Sequence, residues 1–297
     1  MGRAIRTPLV AFDHGIELKL ESAQPIKSFK IRGAANAMLS APRESLRRGV
    51  WTASAGNMAQ GAAYMARELG APCRVVVPEH APRAKLDAIT ALGATFESVP
   101  FDAWWAAMTT GAHPGMEGFF VHPFADTRVM AGNGTIGLEL AEDAPDLDAV
   151  LVPWGGGGLA LGVAAGLRAA GARARVFAVE VDTAAPLTAS LAAGHPVTVQ
   201  RTPTWIDGMG SDRVSEHTWP HVREWIAGTV VVTVSQVADA LRRIAATTGI
   251  IPEGAGAAPL AAALHDERFA GKRVVAIVSG ANVDPAVSTR ILAGADS

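Results

Sequence analysis

Ser28-Phe29-Lys30-Ile31-Arg32-Gly33 sets a lysine one residue inside the start of a helix. Pro25 bars that helix from extending backwards, Ser28 is a favoured N-cap, and 29–40 then runs without a breaker other than Gly33. Beside the ring of Phe29 and at the positive end of a helix, desolvation and the helix dipole both disfavour the charged form of Lys30. Under those conditions a lysine amine becomes a nucleophile able to form a Schiff base. A plain surface lysine would have the same local sequence, so the rest of the chain has to separate the two.

Outward from that helix, short apolar runs alternate with helical stretches. Upstream, 16–20 alternates apolar and charged residues as a half-buried strand does. Downstream, the pattern predicts strands at 50–52, 74–77, 95–99 and 119–121, with helices at 58–69, 83–92 and 102–108. Longer elements follow Pro123: helices at 130–142, 158–170, 220–226, 237–248 and 255–264, and strands at 149–152, 175–181, 229–234 and 273–278. The stretch 195–214, rich in Pro, Gly, Asp and Thr, reads as a long loop. Repeated strand–helix units with short connections predict an α/β fold of parallel sheets covered on both faces.

Composition narrows the function. At 297 residues and 49% hydrophobic the chain has ample core for one large or two medium domains. A formal net charge of −2 gives no reason to expect nucleic acid or anionic membrane as a partner. The single cysteine, Cys73, excludes an internal disulfide framework and a cysteine-based zinc site. No His-Glu-x-x-His pair and no Gly-x-Ser-x-Gly elbow occurs, which removes the simplest metal and hydrolase readings. Residues 1–11 lack the apolar block of a signal peptide, and the most apolar stretch, 158–181, is broken by Arg168, Arg173 and Arg175. A soluble, cytoplasmic protein is expected.

Four loops carry the chemistry, three of which, 54–57, 155–158 and 279–282, follow predicted strands, where open α/β sheets bind ligands. Ser54-Ala55-Gly56-Asn57 precedes a helix and offers backbone N–H groups to a carboxylate, although plain capping by Ser54 or Asn57 reads equally well. Gly155-Gly156-Gly157-Gly158, followed by Leu159, lets several amides turn on one anion at a helix start, which suits a phosphate monoester. A dinucleotide fingerprint remains open there, since Gly155, Gly157 and Ala160 fit its spacing and Glu180 ends the next strand. Glu253-Gly254-Ala255-Gly256 and Ser279-Gly280-Ala281-Asn282 each read alone as turns, but Ser279 could offer a neutral hydrogen bond to a ring nitrogen.

Taken together, the lysine, the carboxylate loop, the phosphate loop and the serine fit pyridoxal phosphate. The chain resembles the fold-type II pyridoxal-phosphate enzymes, and within them the serine/threonine dehydratase (threonine ammonia-lyase) group that includes serine racemase. The likeness runs over nearly the whole length: Thr7-Pro8-Leu9, the lysine helix, Ser54 to Asn57, Pro123-Phe124, Gly134-Thr135, Gly155 to Leu159 and Ser279 to Asn282. It implies the two-domain architecture of the tryptophan synthase β-like enzymes, with parallel and mixed sheets flanked by helices. A large cofactor domain of 1–47 and 126–297 would be interrupted by a small mobile domain, 48–125.

By the same resemblance Lys30 would hold the cofactor and act as base at the substrate Cα, with Phe29 packed beside it. Asn57 would bond the cofactor's 3′-oxygen, Gly155, Gly156, Gly157, Gly158 and Leu159 its phosphate, and Ser279 its ring nitrogen. Ser54, Ala55, Gly56 and Asn57 would hold the substrate carboxylate. The implied reaction is β-elimination from a small 3-hydroxy amino acid, L-threonine or L-serine, to a 2-oxo acid and ammonia, by a homodimer or higher homo-oligomer. The alternatives are a serine racemase-type isomerase, a dehydratase for 3-hydroxyaspartate or phenylserine, and a β-replacement synthase. In the racemase branch a serine precedes the glycine of the carboxylate loop; here that position is Ala55. Met58 also departs from the histidine usual after the asparagine, Asn133 from glutamine, and Gly254 from proline. A cation near 207–212 is left undecided, and with the sequence ending at Ser297 no attached regulatory domain is expected.

Overall fold

The computed structural model describes residues 3–296. In chain order its elements are β1 (Leu9–Asp13), β2 (Ile16–Leu20), α1 (Lys30–Leu39), α2 (Arg43–Arg47), β3 (Val50–Ala53), α3 (Asn57–Leu69), β4 (Cys73–Pro78), α4 (Arg83–Ala91), β5 (Thr95–Val99), α5 (Phe101–Thr110) and β6 (Phe119–Phe120). There follow α6 (Thr127–Asp143), β7 (Ala149–Pro153), α7 (Gly158–Ala169), β8 (Arg175–Val181), α8 (Pro186–Ala193), α9 (Trp219–Trp225), β9 (Gly228–Val232), α10 (Val234–Thr248), α11 (Gly254–His265), β10 (Val274–Val278) and α12 (Pro285–Leu292).

The chain forms two compact units. One holds Gln24–Gly132 with the N-terminal residues up to Ile5; the other holds Arg6–Ala23 with the chain from Asn133 onward. In the first, four parallel strands lie in the order β5-β4-β3-β6. Every residue of β3 (Val-Trp-Thr-Ala) is buried, as expected of a strand covered on both faces, whereas β5 at the edge is mostly exposed. Helices α1 and α3 pack on each other so closely that a Cβ on Gly61 would stand 3.3 Å from the carbonyl oxygen of Lys30. The sequence-based boundaries at 47/48 and 125/126 therefore differ from these units, because α1 stays with the strands and helices that follow it.

The second unit has six strands in the order β1-β2-β10-β7-β8-β9. All neighbours are parallel except β1 and β2, where Leu9 faces Lys19 in antiparallel register. The continuous apolar runs Ala149–Pro153 and Val274–Val278 are buried at every position and form the centre. Between α6 and α7 the backbones touch: a Cβ on Gly166 would meet the carbonyl of Gly134, so only glycine permits this approach. That contact seats α7, and with it the glycine loop that opens it.

Most predicted elements recur within two or three residues, and 175–181 recurs with the same bounds. Four went unread: β1, α2, α8 and α12. Both α8 and α12 open on proline, a residue read more readily as a breaker than as a first helical position. Among the described residues no helix is long and apolar enough to cross a membrane.

Candidate functional site

In the first unit the lysine lies at the start of α1, but the cap differs from expectation. Lys30 is the first helical residue, and the N-cap is Phe29, itself helical at φ −54°, ψ −22°. Ser28 is not the cap; its Oγ accepts a long 3.4 Å bond from the Lys30 amide. Lys27 in the left-handed region, φ +54°, turns the chain just before it. Ser28 and Phe29 are buried and Lys30 is half-buried. The Lys30 Nζ lies 5.1 Å from the centre of the Phe29 ring and donates to the carbonyl of Pro123 at 2.6 Å. The loop carrying that carbonyl is held by His122, whose Nδ1 accepts from the amides of Phe124 (3.1 Å) and Ala125 (3.0 Å). Beyond it, burial would raise the Asp126 carboxyl, but hydrogen bonds from Arg128 overcome this and hold it below the usual carboxylate range.

The carboxylate loop sits in the same unit, between β3 and α3. Ser54 turns its Oγ inward to accept from the Gly56 amide at 3.2 Å, as a short serine turn does. Ala55 packs its methyl on the core, and Met58 is buried beneath the first turn of α3. Asn57 opens α3, and the N-cap of that helix, Gly56, makes no side-chain cap bond. The packing of α3 on α1 brings this loop and Lys30 into one unit.

In the second unit two loops leave neighbouring strands. Gly155 to Gly158 follow β7 and lead into α7, whose N-cap Gly157 has φ +88° and no side-chain cap. The amides of Gly155, Gly156 and Gly157 make no hydrogen bond to protein among the described residues. Directly behind the loop the ring of buried Trp154 fills the space where a Gly157 Cβ would project. Buried Asn133 ties the loop's end in place, donating from Nδ2 to the Gly158 carbonyl at 3.0 Å. Among the described residues the Oδ1 of Asn133 and the Nε1 of Trp154 have no hydrogen-bond partner.

Ser279 and Gly280 follow β10, the strand paired to β7. Ser279 is buried and its Oγ has no hydrogen-bond partner among the described residues. Glu253 crosses behind them: its amide donates to the Gly280 carbonyl at 3.0 Å, and a Cβ on Gly280 would stand 2.6 Å from its carboxylate. Thus Gly155 to Leu159 and Ser279 are brought together at the C-terminal ends of the two central strands of the six-stranded sheet. Trp154 and Glu253 were not among the expected site residues; Glu253 was read only as part of a turn, and Trp154 has no motif to flag it.

Glu180 does not serve a dinucleotide. It is buried at the end of β8, where it accepts from Leu187 N (2.7 Å), Thr188 N (2.8 Å) and Thr188 Oγ1 (2.7 Å). Burial pushes its carboxyl up, against the pull of those three bonds, and both oxygens are spent on the N-terminus of α8. Among the described residues no cluster of three or more His, Cys, Asp or Glu could hold a metal ion.

Residues 3–280 match the family model of the pyridoxal-phosphate dependent enzymes. The chain is 39% identical to an L-threonine ammonia-lyase of Thermotoga maritima over 280 residues, 93% of this chain and 69% of that protein. It is 41% identical to an L-threonine ammonia-lyase of Geobacter sulfurreducens over 293 residues, 95% and 72% of the two chains. Among solved structures it is similar to threonine deaminase isoform 2 of Solanum lycopersicum, with a TM-score of 0.88 at 33% identity over 99% of this chain and 90% of that one. Maize serine racemase is nearly as similar, with a TM-score of 0.86 at 30% identity over 97% and 91%.

Proposed function

The chain belongs to the pyridoxal-phosphate dependent enzymes, and from that premise we propose that it is an ammonia-lyase converting L-threonine or L-serine to a 2-oxo acid and ammonia. The observation that carries the reading is 39% and 41% identity to two bacterial L-threonine ammonia-lyases. Ala55 is what separates it from the racemases of similar fold. Two-base racemisation needs a proton donor on the side of the cofactor opposite the lysine, and a methyl neither gives nor takes a proton.

The residues present fit the cofactor. A glycine loop whose first three amides make no hydrogen bond to protein among the described residues, at the start of α7, is a ready seat for a phosphate. A buried serine hydroxyl with an open lone pair and proton at the end of β10 suits a neutral ring nitrogen. When bound, pyridoxal phosphate supplies the electron sink that lets a Cα–H bond ionise and a β-substituent leave.

Half-buried Lys30, its Nζ beside the Phe29 ring, takes the proton from the substrate Cα. Gly155, Gly156, Gly157, Gly158 and Leu159 anchor the phosphate, and Asn57 and Ser279 orient the ring. The loop 54–57 holds the substrate carboxylate, with the Ser54 hydroxyl and the Gly56 amide serving the loop's own turn. Water is lost across Cα–Cβ and regained when the resulting enamine hydrolyses, so the net products are a 2-oxo acid and ammonia. A homo-oligomer in the cytoplasm, with 48–125 moving to admit substrate, completes the proposal.

Incubation with L-threonine and with L-serine, followed by 2-oxo acid assay and chiral chromatography, tests it. The expected result is 2-oxobutanoate and pyruvate with negligible D-amino acid. D-serine formed at a rate comparable to pyruvate would overturn it.

A further inference from the structure

We propose that His122 is a positioning residue that sets the Lys30 amine through a single peptide plane. Lys30 Nζ donates to a backbone carbonyl, that of Pro123, at 2.6 Å. The position of the amine therefore depends on which way that carbonyl points. The Pro123 C=O and the Phe124 N–H belong to the same planar unit and point in opposite directions. Phe124 N–H is fixed on His122 Nδ1 at 3.1 Å, and Ala125 N–H converges on the same lone pair at 3.0 Å. Holding the N–H on the imidazole thus turns the C=O towards Lys30.

Both groups facing Nδ1 are N–H donors, so the nitrogen must carry its lone pair, and the neutral ring is the Nε2–H tautomer. The ring cannot swivel freely. It meets Phe124 edge to face at 4.8 Å between centres and Phe120 at 5.8 Å. A proton on Nδ1 would set a donor against two donors and release the peptide. Charged groups near it include Asp126, paired with Arg128 at 2.6 Å, and Lys30 across the peptide. A phenylalanine at 122 would keep the aromatic packing but offer no acceptor. An asparagine would lose the packing but present Oδ1 to the amide two residues on, as in an Asx-turn.

The catalytic consequence rests on the role proposed for Lys30, but the position of the amine does not, and the experiment reads them apart. Reductive methylation of the full chain freed of cofactor, quantified by mass spectrometry on the Lys30 peptide, reports how well the amine is held. In the cofactor-loaded enzyme, kcat and KM for L-threonine report the consequence. His122→Phe is expected to speed Lys30 methylation about fivefold and to lower kcat about tenfold with KM within twofold of wild type. His122→Asn is expected to return both towards wild type. Nitrogen NMR of the histidine rings in the wild-type protein needs no variant and is expected to show His122 as the Nε2–H tautomer. A protonated Nδ1, or wild-type Lys30 labelling in His122→Phe, would overturn the proposal, as would equal losses in His122→Phe and His122→Asn. Changed labelling without changed kcat would leave the positioning standing and refute the role of Lys30 instead.

Discussion

Gly157→Ala puts one methyl group where the structure has no room for it. At φ +88° the backbone is in the left-handed region, which costs an L-residue about 1–2 kcal/mol. The new Cβ would stand 2.6, 3.0 and 3.2 Å from three carbons of the Trp154 ring. That ring is buried, so it has little freedom to withdraw, and forced overpacking of this kind costs typically 1–3 kcal/mol. The two together come to roughly 2–5 kcal/mol. Where the loop relaxes in the absence of a phosphate, this strain is felt only on binding. Even the lower figure then weakens the cofactor about 30-fold, at about 1.4 kcal/mol per factor of ten. Absorbance titration of the cofactor-free chain with pyridoxal phosphate measures it. Gly171→Ala is the control: it shares a positive φ, +71°, but has nothing within 4 Å of its Cβ. It should cost about 1 kcal/mol of stability and leave cofactor affinity unchanged. Wild-type affinity in Gly157→Ala, whatever its melting temperature, would refute the phosphate-loop reading.

Lys30→Ala should remove the borohydride-reducible link to the cofactor and lower turnover by orders of magnitude while the circular-dichroism spectrum stays native; a retained link would place the attachment elsewhere. Ala55→Ser should introduce measurable D-serine formation from L-serine, read by chiral chromatography, with cofactor still bound. Cys73, buried in the core of the first unit, has its thiol pushed up to about 12 by desolvation. Its reactive thiolate is therefore scarce at pH 8, and Ellman's reagent should titrate no thiol until denaturant is added.

The parts legible in the sequence were those whose cause is local. β7 and β10 are five-residue apolar runs, buried throughout, and their burial on both faces follows from composition alone. The glycine loop announced itself because four glycines in a row serve little else than a close approach of backbone. The helix start at Lys30 was read to within one residue, yet its cap was not. Ser28 is a good capping residue in general, but the helix takes Phe29 as its N-cap, and the Ser28 hydroxyl reaches the Lys30 amide only through a long 3.4 Å bond. Residues that act through distant partners left no signal. Pro123, 93 positions from Lys30, supplies the acceptor for its amine, and Glu253 meets Gly280 only because β10 and the start of α11 are neighbours.

Two readings of the same glycines shared one spacing, and only the fate of a carboxylate separates them. A dinucleotide site needs the acid after the next strand to present free oxygens to a ribose. Glu180 stands at that point in the chain, at the end of β8, but it turns away and holds the first turn of α8 with both oxygens. A helix that opens on proline at its first position brings no capping side chain of its own here, so an acid from the adjoining strand takes that part. The neighbouring loop is correspondingly braced for something smaller than a dinucleotide. Gly158 is tied by Asn133, Gly157 is pressed on Trp154, and Gly155 lies 3.4 Å, measured from an added Cβ, from the Gly208 carbonyl. Open amides ringed by fixed backbone suit a single phosphate group, and that is what a cofactor ending in a phosphate monoester requires.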